Sequence, residues 1–139
     1  MRDFMTVGAW DPTQANAATD FTLDPAVLAS FIALSENQQL DNLSSKLSND
    51  IQSQQAPLMK LSKARWIEIA EAYSTEQIVH LVRFFTLAEM QLSGWEAGDS
   101  SPVIGLVKAL RLRKAPPDKE LLIWIKEHSD NRFLPNGAL

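Results

Sequence analysis

The chain has 139 residues, carries 13 Lys and Arg against 17 Asp and Glu for a net charge of −4, and contains no cysteine. That length suffices for one domain with its own core, and the absence of cysteine excludes disulfide frameworks, cysteine-ligated zinc, thiol nucleophiles and dithiol redox chemistry. An acidic balance repels nucleic acid and anionic lipid unless bases are concentrated locally.

Residues 1–22 have no helical or strand period and read as an arm, in which Phe4, Trp10 and Phe21 are the apolar exceptions. The start, Met1 to Gly8, sets an acid beside its only base and develops no apolar stretch of a secretory signal. The expected location is therefore cytoplasmic. Residues 23–139 form the expected helical domain. Asp24-Pro25 opens its first helix as cap and first residue, with Leu23 placed to staple onto Leu28 and with Val27, Leu28, Phe31 and Ile32 as its buried face.

Ser35 and Gln38 have the spacing of a capping box for a second helix over 36–54. Along it Leu40, Leu43, Leu47 and Ile51 trace a narrow apolar stripe through poor helix formers. Pro57 ends it. Ser62 starts a third helix over 63–73, burying Trp66, Ile69, Ala70 and Tyr73. Ser74 and Gln77 form a capping box for a fourth, 75–92, which is apolar around most of its circumference and so belongs at the centre of a bundle. Its seam of Glu76, His80, Arg83 and Glu89 also keeps it from reading as a membrane span, and no apolar run approaches the ~20 residues that a span needs.

Gly94 is expected to stop that helix in a Schellman motif and to bring Trp95 back against Met90. Ser101-Pro102 opens a fifth helix, 102–114, with Val103, Leu106, Val107 and Leu110 inward. A sixth, 117–128, turns Leu121, Trp124, Ile125 and His128 inward, and after it comes a tail with a Pro135-Asn136-Gly137 turn. The expected fold is all-α: a single-domain bundle of five to six helices with a partly irregular N-terminal arm and a C-terminal tail.

Chemical motifs are few. Glu76 and His80 stand one turn apart, but the Glu-x-x-His spacing of di-iron bundles is absent, so the pair reads as an intrahelical contact and no metal or cofactor is expected. The segment from Trp66 to Leu87 resembles a helix-turn-helix only in outline, because its second helix is too apolar to lie in a groove. No Gly-x-Ser-x-Gly elbow or phosphate-binding glycine loop occurs.

Lys108, Arg111, Arg113 and Lys114 are the one basic concentration. Their place at the end of a helix complements its dipole, and no aromatic residue alternates with them to stack on bases. Trp95 in its loop and Phe133 in the tail are aromatic residues outside helices, a type enriched at binding hot spots.

The leading expectation is a non-enzymatic regulator or adaptor that binds another protein through Trp95, Lys108, Arg111, Arg113, Lys114, Arg132 and Phe133. Self-association into a homo-oligomer is open to it. One rival is nucleic-acid binding through the basic patch. The other is a small-ligand binder or enzyme with a pocket between helices near His80 and Arg83, to be judged by whether those side chains face a cavity.

Overall fold

A computed structural model describes residues 23–129 and residue 131. Among them the fold is all-α, with seven α-helices: α1 (Pro25–Glu36), α2 (Leu43–Lys46), α3 (Asn49–Gln55), α4 (Lys63–Ala70), α5 (Thr75–Gln91), α6 (Pro102–Leu112) and α7 (Lys119–His128). Short 3-10 turns cover Ala56–Lys60 and Gly98–Ser100. The expected arm, residues 1–22, and the tail from Arg132 onward lie outside the described residues.

Helix starts form as their capping residues dictate. The Asp24 carboxylate accepts the Ala26 N–H at 2.9 Å with Pro25 behind it, and Ser62 accepts the Arg65 N–H at 3.1 Å. At α5 the capping box closes in both directions: Ser74 Oγ accepts from Gln77 N–H at 3.1 Å, and Gln77 Oε1 accepts from Ser74 N–H at 2.9 Å. Each such cap satisfies a donor that the first turn would otherwise orphan. The last helix departs from expectation by two residues. Asp118, not Pro117, caps it by accepting the Leu121 N–H at 2.8 Å.

The expected continuous helix over 36–54 does not form. Ser35 and Glu36 belong to α1, so Ser35 is not a cap and its capping box with Gln38 is absent. Instead α1 runs into a Schellman stop, in which Gln38 takes a φ of 58°. The Gln39 N–H then donates to Leu34 C=O and the Gln38 N–H to Ser35 C=O. Beyond that stop the chain runs in short pieces whose leucines still reach the core: Leu40, Leu43 and Leu47 are buried and Ile51 is half-buried. The apolar stripe therefore marks burial, while the weak helix formers between its leucines let the backbone break.

The central position of α5 holds. It packs against α1, α6, α7 and α2, and it buries Ile78, Leu81, Val82, Phe84, Phe85, Thr86, Ala88 and Glu89. Phe31 of α1 stacks on Phe84 at 4.0 Å between centroids, while Phe85 meets Phe31, Phe84 and Trp66 edge-on. Edge-to-face and offset pairs add to what area burial supplies. Helices α4 and α6 pack closely, and Gly105 permits it: a Cβ there would lie 2.6 Å from the Trp66 Cβ.

Candidate functional site

The described residues among those expected to form a contact surface are placed differently from one another. Trp95 is fully buried. Gly94, with a φ of 85°, does turn the chain, but in a four-residue turn closed by Trp95 N–H donating to Leu92 C=O rather than in a Schellman motif. The indole enters the core, while Met90 stays 45% exposed. Its ring stands edge-on to Phe31 and Phe84 and its Nε1–H donates to Gln52 C=O at 2.9 Å. A ring with its one polar group satisfied internally offers nothing to a partner.

The loop itself is firmly held. Glu89, only 7% exposed, accepts the backbone N–H groups of Ala97 and Gly98 at 3.0 and 3.1 Å and takes hydrogen bonds from the Asn131 amide at 3.0 and 3.2 Å. Asn131 also donates to Gly98 C=O at 2.9 Å, so the loop and the start of the tail do meet.

Arg113 is committed to structure. Its guanidinium donates to Ala70 C=O, which also accepts the Tyr73 N–H, and to Tyr73 C=O in the turn after α4, both at 3.0 Å. Lys108 and Lys114 are exposed and Arg111 half-buried at the end of α6. Arg132 and Phe133 lie outside the described residues.

A different set of residues converges across α5. Ser35, Gln38, Leu40 and Asp41 from the end of α1 and the loop after it, Arg83, Leu87 and Gln91 of α5, and Trp124 and His128 of α7 line a cleft of about 460 Å³. Gln91 fixes one wall, because its Oε1 accepts the Leu43 N–H at 2.8 Å while its Nε2 donates to Leu40 C=O at 2.7 Å. That pair of hydrogen bonds ties the loop after α1 to the central helix.

Towards α7 the Arg83 guanidinium lies 4.9 Å from the centre of the Trp124 ring, and the His128 imidazole stacks on the same indole at 4.4 Å and 21°. His128 Nδ1 stands 2.8 Å from Trp124 C=O. A carbonyl only accepts, so Nδ1 carries the proton and Nε2 is left to other partners.

The ion pairs joining described residues are Lys46–Asp41 and Arg65–Glu68, so Arg83 has no carboxylate partner among them. Asp41, on the rim, is held by Lys46 at 2.9 Å, and that hydrogen bond and charge keep its carboxyl below the usual aspartate range. Asp118, on a smaller cleft that Arg83 also lines, is engaged in capping α7. The guanidinium thus borders two clefts that Asp41 and Asp118 also line, and it forms no ion pair with a described residue.

His80 does not pair with a metal-ligand neighbour. Its Nδ1 meets the hydroxyl of Ser35, 7% exposed, at 2.7 Å. This supplies the partner a buried hydroxyl at a helix end requires. A Ser–His contact alone is not a nucleophile with its base, and among the described residues no third group is hydrogen-bonded to the imidazole.

The sequence pattern places Arg83 at an inter-helix pocket but turns Trp124 and His128 inward. The signal that corrects it is Leu122, which is buried together with Leu121 and Ile125. Including it rotates the apolar stripe of α7 away from Trp124 and leaves that ring half-buried at the edge. No protein-family model, curated protein or solved structure matches this chain.

Proposed function

We propose that this protein is a non-enzymatic, cytoplasmic binding module for another protein, and that the cleft between the end of α1, α5 and α7 is its contact site. One observation carries the reading. A guanidinium with no carboxylate partner among the described residues lies against a half-exposed tryptophan in a cleft of about 460 Å³. Arg and Trp are the residue types that dominate binding energy at interfaces, and they do so from pockets that a partner desolvates. The volume falls within the range of roughly 300–1,000 Å³ typical of ligand sites.

The basic end of α6 supports nucleic-acid binding less well than its sequence suggested, since Arg113 is spent on carbonyls of α4 and the turn after it and three cations remain. The test of the protein-binding reading is affinity capture from the source cell with the wild-type chain, Arg83→Gln and Trp124→Ala. A partner held by the wild type and lost from both variants, with helical circular dichroism unchanged, is the expected result. A partner retained equally by all three chains overturns the assignment of the cleft.

A further inference from the structure

We infer that the cleft recognises a carboxylate borne next to an apolar group, an inference that rests on the cleft being the binding site proposed above. Charge sets the first constraint. Arg83 presents a planar fork of donors, which matches the two oxygens of a carboxylate or a phosphate in a bidentate contact. Phosphate sites gather several cations, because the group carries nearly two charges. Here the rim carries Asp41, and Lys46 is already engaged with it. One guanidinium with no ion pair among the described residues, and an acid on the rim, suit a monoanion.

Geometry then sets what accompanies the anion. Trp124 holds the guanidinium against its ring, so the fork is pre-positioned and little side-chain freedom is lost on binding. Leu40, Leu87 and the Trp124 ring supply apolar wall beside it. The Gln91 amide is held in one orientation by its bonds to Leu43 and Leu40, which leaves its second N–H for other partners. Gln38, exposed on the rim, and His128 Nε2, an acceptor when Nδ1 carries the proton, are further polar groups beside the apolar wall. An aliphatic or aromatic side chain adjoining a carboxylate fills such a site, as the last residue of a peptide or as a free organic acid.

The experiment titrates the full chain with N-acetyl-leucine, with its primary amide, with an acetylated pentapeptide ending in leucine and with inorganic phosphate, observing the Arg83 Nε–H and the Trp124 indole N–H by NMR. The acid is expected to shift both signals and to bind about tenfold or more tightly than the amide, as a charge-assisted bidentate contact requires. Arg83→Gln should erase that difference between acid and amide while leaving the thermal midpoint near that of the wild type. Tighter binding of the pentapeptide than of N-acetyl-leucine assigns the carboxylate to a peptide terminus, and equal binding assigns it to a small acid.

Equal affinity for acid and amide, or phosphate binding more tightly than the acid, overturns the inference. The acid–amide comparison needs no variant, so a destabilised Arg83→Gln would not obscure the outcome. Failure here is also distinguishable from failure of the protein-binding reading. Capture of a partner that depends on Arg83 and Trp124 without acid binding removes only the carboxylate, whereas acid binding without such capture removes only the protein partner.

Discussion

Two tryptophans divide the molecule into a region that specifies the fold and a region that remains available for contact. Trp95 sits in a loop between helices, a place that suggests exposure, and it is fully buried with its N–H bonded to Gln52 C=O. Trp124 sits on a helix at an apolar spacing, a place that suggests burial, and it is half-buried with Arg83 and His128 around it. What separates them is the partner each ring finds. Gly94 turns the first ring into a cluster of phenylalanines, whereas the second stands at the edge of a stripe centred on Leu121, Leu122 and Ile125.

The comparison breaks most directly by removing each ring in turn. Trp95→Ala leaves a large cavity beside Phe31 and Phe84 and removes the hydrogen bond to Gln52 C=O, so it should destabilise the fold by roughly 3–5 kcal/mol. Trp124→Ala removes a partly solvated contact with Arg83, an effect of about 1 kcal/mol or less. Urea melts of the two variants decide it. Similar midpoints for both would mean that Trp95 is not a core residue or that Trp124 is one.

The buried side is sharpened at Gly105. An added methyl at that position would meet the Trp66 Cβ at 2.6 Å and the Lys63 carbonyl oxygen at 3.1 Å, neither being the far end of a flexible chain. Helices α4 and α6 would have to move apart. Gly105→Ala should therefore destabilise by about 1–3 kcal/mol despite the better helix propensity of alanine. A gain in the thermal midpoint would show that the two helices do not approach so closely.

The legible part of the fold lies at the helix starts. Those at Asp24-Pro25, Ser62, Ser74 and Ser101-Pro102 were readable because a cap is a side chain with a visible function, and each forms as expected. The stops were not. The glycine that marks a Schellman motif, Gly94, lies in a tight turn instead, while the two Schellman stops use Gln38 and Lys114, with φ of 58° and 60°. At the second, Ala115 N–H donates to Leu110 C=O and Lys114 N–H to Arg111 C=O.

Nothing in a glutamine or a lysine announces a left-handed backbone, and without the first of these stops 36–54 reads as one helix. For the site, Arg83 was legible as a cation on a central helix. The cleft was not, because it is assembled from α1, α5 and α7, and its walls depend on the Gln91 clamp 48 and 51 residues away in sequence from Leu43 and Leu40.

Lys114 offers a smaller, opposite-signed test at the link between the two regions. It ends α6 just before the segment that leads to α7 and Trp124, and it holds a conformation that costs a non-glycine residue about 1–2 kcal/mol. Lys114→Gly relieves that strain and loosens the unfolded chain, so a net gain of up to about 1 kcal/mol is expected. Acid binding at the cleft should not change. A loss of stability would indicate that the lysine side chain, not its backbone, matters at this stop.

The smallest effect is expected at the cleft rim, where Asp41 faces any anion that enters. Its carboxyl is exposed and held below the usual aspartate range by the Lys46 hydrogen bond, so it is negative at neutral pH. A group whose pKa is lowered on folding favours the folded state above its unfolded value, and that contribution disappears as pH falls through the folded value. At neutral pH Asp41→Asn therefore removes a small stabilising contact. The same change deletes a negative charge from the cleft wall and frees the Lys46 ammonium, and both act in favour of an incoming carboxylate. N-acetyl-leucine should bind the variant more tightly by a small factor at low salt. Screening between exposed charges should shrink that factor toward one as ionic strength rises. Weaker binding in the variant would mean that Asp41 orders the rim more than it repels the ligand, and the electrostatic account of the cleft would have to be redrawn around the loop after α1.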